Sequence, residues 1–269
     1  ISLFKRLSSS GHSFILSLQR QRARNELFIH AIDHQLPIPL GSFTDKQIAV
    51  SDTDIEGDGE SDMYGSIATR YENLKKVLPA KTKWVNSTVF KPTLRKALVK
   101  DNDTITDLLD RFGNWDSTRD SKINALVDLL NTEHAGEKVL IFTEYSDTAE
   151  YVAAALTDAG IANVGLATGD TDNPAEVARR FAPHSNKLPS QTDEDVPPVD
   201  NPIDVLIATD VLSEGQNLQD SHIIVNYDLP WAIIRLIQRA GRVDRIGQKS
   251  DTVNLYLITH EKIEQQIKL

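Results

Sequence analysis

The 269-residue sequence contains no cysteine. Disulfides and thiolate metal sites are therefore excluded, and a reducing cytosol is the simplest setting. No apolar run approaches the length that crosses a bilayer, so no membrane span is expected. No G-x-x-x-x-G-K-S/T string occurs, which leaves the chain without a P-loop of its own. The seven histidines show no metal-ligand spacing, no Ser/His/Asp arrangement stands out, and no protein-held metal is expected. The chain opens Ile1-Ser2-Leu3-Phe4-Lys5-Arg6, without an initiator methionine or a signal-peptide pattern. It reads as a segment of a longer protein.

Basic charge is also in deficit. The formal net charge is -10, which argues against a protein that simply coats nucleic acid. The negative charge is segregated, however. Asp52, Asp54, Glu56, Asp58, Glu60 and Asp62 form one acidic tract, and Asp193, Glu194, Asp195 and Asp200 form another beside Pro197, Pro198 and Pro202. Both read as solvated loops. Without them the balance is near neutral, so local basic patches are possible.

What is present is ordinary globular material, 40% hydrophobic and 25% charged. The length allows one large or two medium domains. Residues 1–116 read as a helical region with an acidic loop and no strong strand. Helices are expected up to about Ile32, ended by Pro37 and Pro39, and from about Ser66 to Leu78. Two more are expected between Pro92 and Trp115, with Trp84 and Trp115 in the core. From residue 117 the pattern changes. Ser121 is placed to cap a helix carrying Ile123, Leu126, Val127 and Leu130. Val139–Phe142, Val205–Ala208 and Ile223–Val225 read as strands buried on both faces. A weaker strand is expected at Val164–Ala167, a last strand where Val253, Leu255 and Leu257 alternate, and helices at Asp147–Ala159 and Pro174–Phe181. Strands alternating with helices predict an α/β doubly wound parallel sheet over 117–269, with ligands at the strand carboxyl ends.

The most informative segment follows the third strong strand. In Ile233–Gln248, arginines recur at 239, 242 and 245. On a continuous helix they would share one face, with Ile233, Ile237 and Ala240 packing the other. Gly241 and Gly247 interrupt that helix at about 1 kcal/mol each relative to alanine. A row of guanidinium forks suits a polyphosphate, because each fork bonds two oxygens at once.

Three segments then carry a resemblance. Val205–Asp210 with Glu214–Leu218 resembles motif V of superfamily-two helicases. Gln238–Arg245 resembles motif VI, and Val139–Thr143 resembles motif IV. Arg245-Ile246-Gly247-Gln248 and Asn226–Trp231 are similar to the remodeller-like double-stranded DNA translocases, in particular the bacterial RapA-like branch. Phe4–Ser10 resembles the segment that precedes the second motor lobe there. The likeness is dense from Asp120 to Ile258 and loose from Ile32 to Asp116.

The resemblance implies a RecA-like second motor lobe, with residues 1–116 as an inter-lobe insertion. It implies ATP and Mg2+, the metal held mainly by an N-terminal lobe of the same protein. It assigns Arg242 and Arg245 as finger arginines, and Gln238, Asp210, Glu214 and Gly215 to the nucleotide site. It assigns Thr143, Thr168, Gly169 and Thr209 to nucleic-acid backbone contacts, of the kind that read no sequence. Implied partners are double-stranded DNA, the N-terminal lobe, and RNA polymerase or another protein; the implied location is cytoplasmic, without a membrane. The segment alone is expected to be inactive. Two readings stay open: a non-catalytic DNA- or protein-binding module, and an RNA helicase lobe. Trp231 reads as packing, and Asn217 as a possible internal strut.

Overall fold

The computed structural model describes residues 2–41, 66–187, 190–212, 216–230 and 232–259. The first acidic tract, Glu214, Gly215 and Trp231 lie outside these. The chain divides into two compact units, one formed by Ile1–Phe14 with Asp116–Leu269 and the other by Ile15–Trp115. The first fourteen residues thus belong with the α/β region rather than with the helical one.

In the Ile15–Trp115 unit, most of helix α2 (Gly11–Asp33) packs Leu27 and Ala31 against Tyr71, Leu74 and Leu78 at and just beyond α3 (Ile67–Val77). Ser66 caps α3, its hydroxyl accepting from the Thr69 amide. Contrary to the all-helical expectation, β1 (Pro37–Leu40) pairs antiparallel with β2 (Lys83–Asn86). The prolines do not prevent this, because a two-stranded sheet is all edge and edges tolerate a missing amide. Thr93–Phe112 is one continuous helix, α4, rather than two. Trp84 packs on the core as expected, its ring meeting Tyr71 edge-on at 6.2 Å, whereas Trp115 is 39% exposed.

In the other unit, α1 (Ser2–Ser9) precedes the α/β elements. These are α5 (Ser121–Asp128), β3 (Val139–Phe142), α6 (Ser146–Asp158), β4 (Val164–Ala167), α7 (Pro174–Phe181), β5 (Val205–Ala208), β6 (Ile223–Asn226), α8 (Ile233–Ala240) and β7 (Asn254–Leu257). The strands form the expected parallel sheet, in the order β4-β5-β3-β6-β7. The expected α/β fold with a parallel sheet is thereby present. The cap of α5 is Asp120 rather than Ser121, its carboxylate accepting from the Lys122 and Ile123 amides.

The continuous apolar runs are explained by burial on both sides. Along β3, Val139 and Ile141 face a core with Leu126 of α5 and Val152 and Leu156 of α6. Leu140 and Phe142 face a second core with Phe181 of α7, Ile203, Leu218 and Val243. Period-two alternation gives each strand two apolar faces. Side chains such as Leu126 and Leu156, fully buried, contribute about 1.5–3 kcal/mol apiece. Gly165 in β4 lets the chain pass close to Ile203, whose side chain would lie 2.5 Å from an added Cβ.

Candidate functional site

The parallel register places one polar residue after another along the carboxyl edge of the sheet. Phe142 is level with Ala208 and Asn226, and Ala167 with Ala208. Thr143, Thr168 and Thr209 therefore follow three neighbouring strands at the same height. Their backbones continue the ladder, the Thr143 amide donating to Ala208 and the Thr209 amide to Ala167. Gly169, next to Thr168, has open space around it.

The threonine side chains are not equally available. Thr143, expected at a phosphate, is fully buried, and its hydroxyl donates to Asp228 Oδ2 at 2.6 Å. The same carboxylate accepts from the Glu144 amide at 3.0 Å and from the Ser9 hydroxyl at 2.7 Å. A buried carboxylate needs several donors to offset its lost hydration, and Thr143 is one of them. Thr168 is also buried, and its hydroxyl accepts from the Asp170 amide.

Asp228 also ties α1 to this edge. Ser9 and Ser13 meet the Thr148 hydroxyl at 2.9 and 2.8 Å. Lys122, 5% exposed, donates to the carbonyls of Ser8, Ser9 and Tyr227, and its ammonium lies 4.2 Å from the Tyr227 ring centroid. Arg6 pairs with Asp147 at 2.6 Å and stacks over Tyr145. Burial pushes the Tyr145 phenol up to about 12. Sequence reasoning gave none of Ser9, Lys122 or Asp228 a role. The signals for Asp228 are its place just past a buried strand and within the Asn226–Trp231 segment.

The arginine row departs from expectation. Helix α8 stops at Ala240, so Arg239, Arg242 and Arg245 do not share a helical face. Arg239 points inward and is fully buried; its Nε bonds Asp210 at 2.9 Å, its Nη1 bonds Asn226 at 2.9 Å, and its guanidinium covers the Phe142 ring. Asp210, expected at the nucleotide, also accepts from Arg235 at 2.7 Å. Arg235 reaches toward Glu144 at 3.5 Å. The Glu144 carboxyl is held above its ordinary value, first by burial and then by neighbouring Asp228, with Arg235 and Arg239 opposing. The helix is turned by these ionic partners rather than by its apolar residues. Ile233 and Ile237, expected to pack, are 74% and 62% exposed, Ile234 is 57% exposed, and Gln238 is exposed beside them.

Beyond α8 the chain turns so that Val243 enters the second core. That leaves Arg242 half-buried and Arg245 exposed. Gln248 fixes the turn, donating to the carbonyls of Ser221 and Val243 and accepting from the Ser250 amide. Gly247 has φ +104°, a conformation side chains disfavour. Arg245 Nη1 donates to Asn217 Oδ1 at 3.1 Å, and Asn217 in turn bonds Ser185 and Asn186, so it acts as a strut. Among the described residues, Arg239 Nη2 and Arg242 Nε are buried with no hydrogen-bond partner. Buried guanidinium donors of this kind suit an anionic oxygen. Among the described residues no group of three or more His, Asp or Glu side chains is placed to hold a metal ion, and no helix is long and apolar enough to cross a membrane.

Comparison with known proteins bears on this arrangement. Residues 121–247 match the helicase conserved C-terminal domain. The chain is 34% identical over 201 residues to a Bacillus subtilis protein named "Uncharacterized ATP-dependent helicase YqhH", covering 73% of this chain and 29% of that protein. It is 31% identical over 137 residues to the RNA polymerase-associated protein RapA of Vibrio parahaemolyticus, covering 49% and 12%. It is 33% identical over 153 residues to the ATP-dependent RNA helicase RhlB of Shewanella piezotolerans, covering 55% and 31%. The chain thus spans less than a third of each relative. With the parallel sheet, these matches show that residues 121–247 form a helicase conserved C-terminal domain, the C-terminal lobe of a superfamily-two helicase.

Proposed function

We propose that this chain is the second motor lobe of an ATP-dependent double-stranded DNA translocase of the RapA-like branch. Arg242 and Arg245 act as fingers on an ATPase site whose P-loop and Mg2+ ligands come from an N-terminal lobe. The observation that carries the reading is the division within motif VI. Arg239 is buried and committed through Nε and Nη1 to Asp210 and Asn226, while Arg245 is exposed and Arg242, half-buried, keeps a buried Nε without a hydrogen-bond partner among the described residues. The exposed isoleucines of α8 fit a face that another lobe covers. Bound ATP supplies the phosphates that these guanidiniums neutralise. Asp210 orients motif VI through Arg239 and Arg235, with Gln238, Glu214 and Gly215 at the nucleotide. Thr168, Gly169 and Thr209 offer backbone and hydroxyl contacts to a strand, while Thr143 positions Asp228. The likeness to an RNA polymerase-associated protein supports RNA polymerase as a partner, and the lack of cysteine suits a cytoplasmic setting.

Replacing Arg245 with alanine in the complete protein is expected to lower DNA-stimulated ATP turnover by roughly 10³–10⁵, as for other arginine fingers, with an unchanged circular dichroism spectrum. Near-normal turnover would remove the finger assignment. The likeness to an RNA helicase favours a second reading, an RNA motor. Stimulation by a single-stranded RNA and not by a DNA duplex would select it.

A further inference from the structure

The second acidic tract does not behave as a plain solvated loop. Asp193 begins a short turn (Asp193–Asp195), held by Thr192, whose amide and hydroxyl both donate to Asp195. The turn presents the Asp193 carboxylate to two ammonium groups. Lys187 Nζ lies 2.6 Å from Oδ1 and Lys249 Nζ 2.6 Å from Oδ2, with His184 Nδ1 at 4.0 Å from Oδ1. These hydrogen bonds, Lys187 first, pull the carboxyl down to about 2. All four residues line a cavity of about 1090 Å³, which Arg245 and Lys138 also line.

The remaining cavity charges are committed elsewhere. Lys138 bonds the Ile203 carbonyl and Asp204, Asp220 accepts from the His184 and Ser185 amides, and His222 lies against Glu137. Lys187, six residues before Asp193, and Lys249, 56 residues after it, thus converge on one carboxylate of the acidic loop. Two ammonium groups spaced to chelate two oxygens of one anionic group, beside a guanidinium, is the chemistry of a phosphate cradle. The resident carboxylate is exposed. Exposed ion pairs are weak and screened by salt, so a phosphate group can compete with it for both ammonium groups.

We propose that this cavity is a phosphate-binding site, with Asp193 as its built-in competitor. The ligand is a phosphate group, borne either by a nucleotide or by a nucleic-acid backbone. The inference stands on the Lys187–Asp193–Lys249 geometry and does not require Arg245 to act as a finger.

The test uses the 269-residue chain at low salt, with inorganic triphosphate followed by calorimetry and a labelled 20-base-pair DNA duplex followed by anisotropy. Asp193→Asn is expected to tighten binding of at least one probe by about threefold to tenfold, the range expected when two exposed ion pairs no longer compete. Glu194→Gln removes the same charge one residue away and is expected to change binding less than twofold. The double variant Lys187→Gln/Lys249→Gln is expected to abolish the gain. Tightening of triphosphate assigns the site to nucleotides, and tightening of the duplex alone assigns it to a strand backbone. An equal gain from Glu194→Gln would show bulk charge at work and overturn the proposal. So would no gain from Asp193→Asn, or undiminished binding by the double lysine variant.

Discussion

Two charged clusters in the same unit follow opposite rules. At the carboxyl edge of the sheet, Arg239 and Asp228 are buried, and each carries a set of fixed partners: Asp210 and Asn226 for one, Thr143, Glu144 and Ser9 for the other. In the cavity, Asp193, Lys187 and Lys249 make equally short contacts, but Asp193 and Lys249 stand in solvent and Lys187 is only half-buried. Distance alone does not separate them; desolvation does. A charge taken out of water is costly to leave unpaired, so the buried set is locked by the penalty of breaking it. The exposed set can exchange partners with water and ions at little cost. The first cluster serves as scaffold, and the second is free to be a switch.

Substitutions that remove one buried partner sharpen this contrast most. Arg239→Ala strands Asn226, takes the inner partner from Asp210, and is expected to cost about 3–5 kcal/mol of unfolding free energy in urea. A cost under about 1 kcal/mol would put Arg239 in the exchangeable class. Asp228→Ala leaves the Thr143 hydroxyl and the Glu144 amide unpaired, with an expected loss of about 1–3 kcal/mol. Hydrogen exchange at the Glu144 amide should accelerate with it, and unchanged protection would show that Asp228 does not hold that edge. As an uncharged reference, Gly165→Ala drives a methyl against Ile203. A cost of about 1–3 kcal/mol is expected from overpacking; if charge burial is the stronger lock, it falls below that of Arg239→Ala.

At the exposed cluster, Asp193→Asn is expected to leave the urea midpoint unchanged, and its signature is in titration. A carboxyl with its folded pKa depressed to about 2 contributes whatever stability it has above the ordinary aspartate value. It loses that contribution as pH falls from about 4 toward 2. A carbon-detected NMR titration should place the Asp193 midpoint near 2. The Lys187→Gln/Lys249→Gln variant should raise it toward the ordinary value, and an unmoved midpoint would mean that the lysines are not its partners.

What was legible in the sequence follows the same division. Val139–Phe142, Val205–Ala208 and Ile223–Val225 could be read as strands because burial on both faces writes itself as an unbroken apolar run. The order of elements then gave the parallel sheet. The arginine segment was misread because helical periodicity was carried past Gly241, where the helix ends. It was misread too because a buried guanidinium is recognisable only through its partners. Asp210 and Asn226 lie on other elements, and nothing within Ile233–Gln248 announces them. Asp193 was set aside for the same reason: Lys187 and Lys249 flank it in space, and only one of them is near in sequence. The β1–β2 pair was hidden by Pro37 and Pro39, which read as breakers.

The strand order has a kinetic consequence. β3 is synthesised before every other strand of the parallel sheet, yet it lies in the middle, between β5 and β6. Neither neighbour is next in the chain, since β4 and two helices intervene before β5. The central strand therefore has to wait, with both apolar faces and both hydrogen-bonding edges open, until distant chain returns to it. Closing such non-local pairings is slow and leaves a window for aggregation. Refolding yield should accordingly depend on protein concentration more steeply than native stability does.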